Sequence, residues 1–273
     1  MSSETLKLYP AHIAGIVTIA VAVAAFFVHP VLTVILLLLY VVICVIACFF
    51  PQMNFLGTVI SRGQTKENKV ALTFDDGPDQ NTTERILDVL DRHNARATFF
   101  VTGVNASKHP GLIMEIVRRG HEIGNHSLHH DPLIMLKGYR RLCREVEDAQ
   151  TVLGSMRIDT RVFRPPVGIV NPQLFPVLRR SGLLCVTFSC RPWDAGNLRM
   201  KNLAEKILKK VKADDIILLH DKLPHRPEDE SLLFIEIEKI LAGLMEKRLS
   251  IVPLSELIGK QVLLSDQRPE MPS

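Results

Sequence analysis

The stretch Val70-Ala71-Leu72-Thr73-Phe74-Asp75-Asp76-Gly77-Pro78 places two adjacent carboxylates directly after a short apolar run. Such a run, when it ends at Gly-Pro, predicts a buried strand that stops at a turn. Like charges side by side are costly there unless a cation or a cationic side chain gives the two groups separate roles. The stretch therefore predicts either an acidic turn before the next helix or part of a reactive site.

Short apolar runs alternate with amphipathic segments through the rest of the chain. Strands are predicted at 69–74, 95–101, 121–125, 161–164, 184–189, 215–219 and 250–253, with helices near 82–93, 109–119, 137–154, 172–181, 200–211 and 231–248. Asn81-Thr-Thr-Glu84 is typical of a capping box at the start of the first of these helices. This alternation predicts an α/β fold with parallel strands and right-handed crossovers. Seven units indicate a (β/α) barrel, complete or one unit short, rather than an open doubly wound sheet.

Chemically capable side chains follow several of the predicted strands. They are Asp75, Asp76, His126, Arg164, Asp194 and His220. The carboxyl ends of parallel strands in a barrel meet on one face, and active sites form there. We therefore expect these residues to lie close together.

The N-terminal segment differs in kind from the rest, because Ile13 to Phe50 contains no Asp, Glu, Lys or Arg. A membrane-spanning helix needs about 20 residues, so residues 1–50 are predicted to form a membrane anchor of two helices, about 12–28 and 31–50. A signal peptide fits less well because the run is too long, and a single tilted helix fits less well because Pro30 would kink it. Basic residues flank the hairpin but are missing from its turn, which favours a cytoplasmic catalytic domain.

The remaining chain is divided into a linker at 51–66, a catalytic domain at 67–260 and a tail at 261–273. The formal net charge of +4 suits a domain near anionic lipid head groups. Because no dense Lys/Arg run with interleaved aromatic residues occurs, nucleic-acid binding is not predicted. Only three of the five cysteines lie in the domain, without metal-type spacing, so no disulfide framework is predicted.

A histidine cluster, His126-Ser-Leu-His-His130, offers metal ligands. His126 and His130 are four residues apart and would point to the same side of a helical turn, as two imidazoles on one metal require. On spacing alone His129 is an alternative partner. With one carboxylate from the first stretch, the set has two histidines, one carboxylate and open positions. Both hydrolytic zinc sites and Fe(II) oxygenases use this set.

Four motifs together resemble a known family. They are Thr73-Phe-Asp-Asp-Gly-Pro78, the pattern His-Ser-x-x-His from His126, the pattern Arg-x-Pro-x-Gly from Arg164, and Leu218-Leu-His220. They occur in the order seen in polysaccharide deacetylases, and the chain resembles that family, with a NodB-type carbohydrate esterase domain, from about 67 to 255. The resemblance implies a distorted (β/α) barrel and a divalent metal, with zinc first and cobalt or nickel as alternatives.

The resemblance also implies roles for individual residues. Asp76, His126 and His130 would be the metal ligands, and Asp75 would be the general base that takes a proton from the attacking water. The two adjacent carboxylates would then have separate tasks, since one is neutralised by the metal and the other stays free to accept a proton.

Two further groups are assigned by the same resemblance. Arg164 would hold the base and keep it ionised; a surface arginine at a Pro-Pro turn is the alternative. His220 would be the general acid that protonates the departing amine, for which the ordinary pKa of histidine is well suited. Asp194 lies in a motif that matches the family only loosely, and it would orient His220.

Substrate contacts are expected from Pro166, Val167, Trp193 and Leu219. The family generally has an aromatic residue where this chain has Val167, so the shape of the substrate groove differs, while the main-chain N–H that helps bind the oxyanion is retained. Trp193 would form a wall for the sugar ring. Leu219 would line a small acetyl pocket, although it is equally an ordinary core residue of a strand.

These inferences together predict a membrane-anchored hydrolase that removes an acyl group, acetyl first, from an N-acylated amino sugar. If the domain is cytoplasmic, a polyprenyl-linked sugar at the inner leaflet becomes the substrate, for deacetylation or deformylation. If it faces outward, cell-wall glycan fits better. A non-catalytic sugar-binding module and an Fe(II) oxygenase are the alternatives from other functional classes.

Overall fold

The computed structural model describes residues 8–192, 194 and 196–264 of the 273-residue chain. It begins with two antiparallel helices, α1 (Pro10–Phe26) and α2 (Pro30–Phe49), close to the predicted bounds. The Tyr40 hydroxyl donates to the Ala11 carbonyl at 3.0 Å, and the Thr33 hydroxyl donates to Ala22 at 3.0 Å, which joins the two helices along their length. Helix α2 is long and apolar enough to cross a membrane, whereas α1 is shorter.

The hairpin packs directly against the following domain. The Val170 N–H donates to the Cys48 carbonyl at 3.0 Å near the end of α2. Ala11 and Ala47 belong to one hydrophobic cluster with residues of the domain, among them Phe175. The helix end is therefore fixed to the domain by both a main-chain hydrogen bond and apolar packing.

The described residues contain eight strands, all paired in parallel. They are β1 (Val59–Ile60), β2 (Lys69–Asp75), β3 (Ala97–Val101), β4 (Glu122–Asn125), β5 (Val162–Phe163), β6 (Leu184–Val186), β7 (Ile216–His220) and β8 (Ser250–Ile251). The strand order is β1-β6-β5-β4-β3-β2-β7, and β8 pairs with the start of β2. Isolated bridges, Arg62 with Asp215 and Cys190 with Ile217, connect the two ends of this order.

Eight helices connect or flank these strands within the described part of the domain. They are α3 (Thr83–Arg92), α4 (Gly103–Lys108), α5 (Pro110–Arg118), α6 (Tyr139–Ser155), α7 (Leu174–Arg180), α8 (Leu203–Leu208), α9 (Glu230–Glu246) and α10 (Leu254–Ile258). The predicted α/β architecture of a distorted parallel barrel is confirmed. Strand β1 was not expected, since it lies in the segment predicted as a linker, and α4 and α10 were not expected either.

Strand β2 is buried on both faces, as parallel strands covered by helices are. Val70, Leu72 and Phe74 pack into the largest hydrophobic cluster, while Ala71, on the opposite face, packs into another. Phe74 stacks on Phe99 of β3 with 5.1 Å between the ring centroids. The apolar run read from the sequence is therefore a buried strand, and it pairs with β3, β7 and β8.

The start of α3 differs from the predicted capping box. The residue before the helix, Thr82, makes no side-chain cap hydrogen bond. Instead, the hydroxyls of Thr82 and Thr83 donate to the two carboxylate oxygens of Asp221, at 2.6 and 2.7 Å. A long-range contact thus replaces the local one, because Asp221 is fully buried and needs hydrogen-bond donors.

The chain directly after residue 260 packs against the domain. Val262 is fully buried, and its carbonyl accepts a hydrogen bond from the Arg161 N–H at 2.7 Å. The remainder of the predicted tail, 265–273, lies outside the described residues.

Candidate active site

Strand register brings the predicted residues to one edge of the sheet. Asp75, the last residue of β2, is paired with His220, the last residue of β7. Asn125 of β4 is paired with Phe163 of β5, so the residues that follow them, His126 and Arg164, are also neighbours. All four side chains therefore meet where parallel strands end.

The structure brings Asp76, His126 and His130 together. One potential ligand atom from each residue lies within 4.8 Å of the others. The Oδ1 atom of Asp76 is 3.6 Å from Nε2 of His126 and 3.2 Å from Nε2 of His130. Ligand atoms bound to one tetrahedral zinc at about 2.1 Å would be about 3.4 Å apart. The spacing therefore fits a single divalent ion.

The hydrogen bonds at this site also fit a cation. Asp76 Oδ1 is buried and has no hydrogen-bond partner among the described residues. Nδ1 of His126 is 2.8 Å from the Arg164 carbonyl, which can only accept, so Nδ1 carries the proton and Nε2 of the neutral ring presents a lone pair. A lone pair and a carboxylate oxygen that face each other repel unless a cation lies between them.

The charge state of the set agrees with this geometry. Burial raises the pKa of Asp76, but the proximity of the His126 and His130 imidazoles outweighs burial and holds this pKa below its usual range. Burial, together with neighbouring His126, lowers the pKa of His130. A carboxylate with neutral imidazoles is the form that binds metal.

The two histidines are not on a helical turn, so that sequence prediction is wrong. Residues 126–130 form an irregular loop in which Ser127 and His130 have φ of 65° and 54°, in the left-handed region. The Ser127 hydroxyl accepts from the His130 N–H at 3.1 Å, which folds the second imidazole back toward the first. His129 is directed elsewhere, since its Nδ1 lies 2.9 Å from buried Glu145.

Arg164 is fully buried and holds Asp75. Its Nη1 donates to Asp75 Oδ1 at 2.6 Å and to the Thr73 hydroxyl at 2.8 Å, and its Nη2 donates to the Thr187 carbonyl at 3.0 Å. The guanidinium also lies 3.9 Å from the centre of the Phe100 ring. The alternative of a surface arginine is therefore wrong.

The second oxygen of Asp75 faces the histidines. Its Oδ2 lies 3.6 Å from Nε2 of His126. Burial lowers the pKa of Arg164, while the charge of Asp75 opposes that effect; a guanidinium stays protonated in proteins. One carboxylate oxygen is thus fixed by a permanent cation, and the other points into the site.

His220 lies opposite Asp75 and is held by a carboxylate of its own. Its Nδ1 is 2.9 Å from Asp194 Oδ2. Burial lowers the pKa of His220, but the hydrogen bond and charge from Asp194 outweigh burial and raise the pKa above its ordinary value. Burial raises the pKa of Asp194, and His220 lowers it by more. The pair therefore favours an imidazolium beside a carboxylate.

A cavity of about 440 Å³ opens in front of these groups and is lined by Val167 and Leu218, among others. Val167 is 48% exposed and has a φ of 54°, which is unusual for a β-branched residue. Pro166 is buried and does not line this cavity. Leu219 was predicted to line an acetyl pocket, but it packs in the hydrophobic core, and Leu218 lines the cavity instead. The alternation of side chains along β7 explains this correction.

The predicted sugar wall, Trp193, lies outside the described residues. Two other residues were missed by sequence reasoning. Lys222 Nζ is 2.7 Å from Asp76 Oδ2, so it pairs with the oxygen that faces away from the histidines. The Asn197 side chain donates to the carbonyls of His220 and Lys222, at 3.2 and 2.7 Å, and fixes this loop. No spacing pattern indicates either contact, although both residues lie within three positions of predicted site residues.

Comparisons with known proteins agree with the fold and the motifs. A family model described as polysaccharide deacetylase matches residues 62–186. The peptidoglycan-N-acetylglucosamine deacetylase of Bacillus cereus is 32% identical over 194 residues, which cover 70% of this chain and 89% of that protein. The chitooligosaccharide deacetylase of Sinorhizobium fredii is 36% identical over 175 residues, covering 63% of this chain and 80% of that protein.

A solved structure is similar in fold as well. The crystal structure of the Bc1960 peptidoglycan N-acetylglucosamine deacetylase has a TM-score of 0.67 and 28% identity, and the match covers 75% of this chain and 94% of that one. From its sequence, its parallel half-barrel and these relatives, the chain belongs to the polysaccharide deacetylase family.

Proposed function

We propose that this protein removes the N-acetyl group from an amino sugar by metal-assisted hydrolysis. Its family membership makes it a hydrolase of N-acetyl amide bonds in carbohydrates. The metal-dependent mechanism is supported by one observation above all. The buried Oδ1 of Asp76 lacks a hydrogen-bond partner among the described residues and faces the Nε2 atoms of His126 and His130.

Asp76, His126 and His130 would hold the ion, with zinc first and cobalt or nickel as alternatives. A divalent ion supplies Lewis acidity, which lowers the pKa of water and polarises the amide carbonyl. Asp75 accepts a proton from the water molecule that attacks the carbonyl carbon. Arg164 fixes the orientation of the Asp75 carboxylate, because it binds only one of the two oxygens.

His220 would act as the general acid of this reaction. It donates a proton to the amide nitrogen as the carbon–nitrogen bond breaks, so that the sugar leaves as a neutral amine and acetate remains. Asp194 favours the protonated imidazole before that step. The main-chain N–H of Val167 would bind the oxyanion that forms when water adds to the carbonyl.

We also infer that α1 and α2 anchor the protein in a membrane. Together the helices carry no charged residue, and most of their large apolar side chains are exposed. Only 6% of the apolar window of α2 is buried, unlike a core helix. An antiparallel hairpin has both ends on one side, and the basic residues favour the cytoplasm. A reporter enzyme fused to the C-terminus would be active in the cytoplasm if this topology is right.

The substrate depends on that topology. The relatives' names refer to peptidoglycan and chitooligosaccharide, which supports an N-acetylated glycan if the domain faces outward. In the cytoplasm, a lipid-linked amino sugar is the accessible substrate, and formyl instead of acetyl is the alternative acyl group to be removed.

The test uses the full-length protein in detergent with N-acetylchitooligosaccharides as substrate and acetate release as the readout. Chelation should abolish activity, and zinc, cobalt or nickel should restore it. Asp75→Asn should retain the metal, measured by elemental analysis, and lose activity. His130→Ala should lose the metal, whereas His129→Ala, a neighbouring histidine outside the set, should keep it. Acetate release by Asp75→Asn at the wild-type rate would contradict the mechanism and favour a different role for the Asp75–Arg164 pair.

A further inference from the structure

A second cavity, of about 710 Å³, adjoins the active-site cavity. The two share part of their lining, namely Val167, Gly168, Phe188 and Arg191. Neither the metal set nor the Asp75–Arg164 and His220–Asp194 pairs contribute to the second cavity. The mechanism of amide hydrolysis therefore gives it no role.

One wall of the second cavity is the end of the hairpin. Phe49 and Phe50, at the end of α2, line it, and Ile169 adds another apolar side chain. Phe49 and Phe50 are 58% and 50% exposed. The main-chain hydrogen bond from Val170 to Cys48 holds this wall against the domain. The cavity thus opens beside the place where an apolar helix enters the catalytic domain.

The other walls are cationic. Arg62, Arg191 and Lys210 line the cavity, and none of the described residues that line it is Asp or Glu. Arg62 is paired with buried Asp215, with Nη2 2.6 Å from Oδ1, so part of its charge is balanced. Lys210 is exposed on the short segment after α8. An anion in this cavity would lie close to these cationic side chains.

The cationic cavity therefore lies between the active-site cavity, which would hold an amino sugar, and the apolar helical hairpin. We propose that the second cavity binds the phosphate of a lipid-linked amino sugar, with the polyprenyl chain lying along the exposed apolar side chains of α1 and α2. The identity of the sugar rests on the proposed function, whereas the phosphate site does not. A neutral polysaccharide would use neither the cations nor the phenylalanines.

The first experiment measures binding without catalysis. Full-length protein in phosphatidylcholine nanodiscs is titrated with farnesyl phosphate, and farnesol, inorganic phosphate and phosphatidylglycerol are compared. Farnesyl phosphate should bind at least about tenfold tighter than the other three, since it alone combines an exposed phosphate with a prenyl chain. Lys210→Gln and Arg191→Gln should each weaken binding about tenfold. Lys209→Gln removes the same charge from an exposed neighbour that does not line the cavity and should not change binding.

The second experiment compares kcat/KM for farnesyl-phosphate-linked N-acetylglucosamine with that for a soluble N-acetylchitooligosaccharide. Lys210→Gln should reduce the ratio of the two values about tenfold, and Lys209→Gln should not. If the soluble sugar is deacetylated but farnesyl phosphate binds no tighter than farnesol, phosphate or phosphatidylglycerol, the inference is wrong and the proposed function stands. If farnesyl phosphate binds through Lys210 but neither sugar is deacetylated, the phosphate site stands and the proposed function fails.

Discussion

Removing the Arg164 side chain is the sharpest test of the site, because it leaves a buried carboxylate without its cation. In Arg164→Met, Asp75 loses a 2.6 Å bond and Thr73 loses a 2.8 Å bond, inside a region where Asp75 is only 4% exposed. Breaking a buried pair by removing one partner costs about 3–5 kcal/mol. For a domain of this size that corresponds to a fall in Tm of about 6–20 °C.

The assay is thermal unfolding followed by circular dichroism, with the full-length protein and detergent held constant. Arg161→Met is the matched control, since Arg161 is a partly exposed arginine three residues earlier and pairs with partly exposed Asp159 at 3.0 Å. A surface pair contributes about 0–1 kcal/mol, so Tm should fall by less than about 4 °C. Deacetylase activity should fall about 10²–10⁴-fold only in Arg164→Met, because the base is no longer held.

A double variant separates the charge from the packing. Asp75→Asn combined with Arg164→Met removes both charges of this pair, so the double variant should be more stable than the sum of the single changes predicts. If Arg164→Met unfolds at the same temperature as Arg161→Met, or if the two changes are additive, then the buried ion pair does not have the energetic role that we assign to it.

Three other predictions concern the loops around the site. Asp194→Asn removes the group that raises the pKa of His220; burial remains and lowers that pKa, so the basic limb of the kcat/KM profile should move to lower pH, and an unchanged limb would show that His220 is not the acid. Lys222→Gln removes an ammonium 2.7 Å from Asp76, and less repulsion should tighten zinc binding by roughly three- to tenfold in a chelator competition; weaker binding would instead mean that Lys222 orients the ligand. Burial raises the pKa of Asp221 to about 7, above about 3.9 for an unfolded Asp, so ionisation disfavours the folded state increasingly from about pH 4 to 7. Asp221→Asn does not ionise, so the Tm of this variant minus the Tm of the wild type should increase as the pH rises through that window. A Tm difference that stays the same at every pH would contradict the effect that we assign to burial.

Much of the fold could be predicted because hydrophobic patterning determines it. The apolar runs became parallel strands, and Asp75, His126, Arg164 and His220 lie together because parallel strands end on one face. Strand β1 was missed because two residues carry too little periodicity, even though they pair with β6.

The details of the site depend on contacts between distant segments, which no local pattern contains. The loop of the two histidines turns through left-handed residues rather than a helix, and the bond from Lys222 to Asp76 joins segments far apart in sequence. Leu219 was assigned to the wrong face because a fully apolar strand does not reveal which alternate residues face inward.

Arg164 contacts two site residues, one through its side chain and the other through its main chain. Its side chain donates a hydrogen bond to Asp75, while its main-chain carbonyl accepts one from Nδ1 of His126. Point substitutions change only the first of these contacts, so metal content should persist in variants whose turnover is lost. An insertion or deletion in the loop that follows β5 would shift the carbonyl too, and ion retention and turnover would then disappear together.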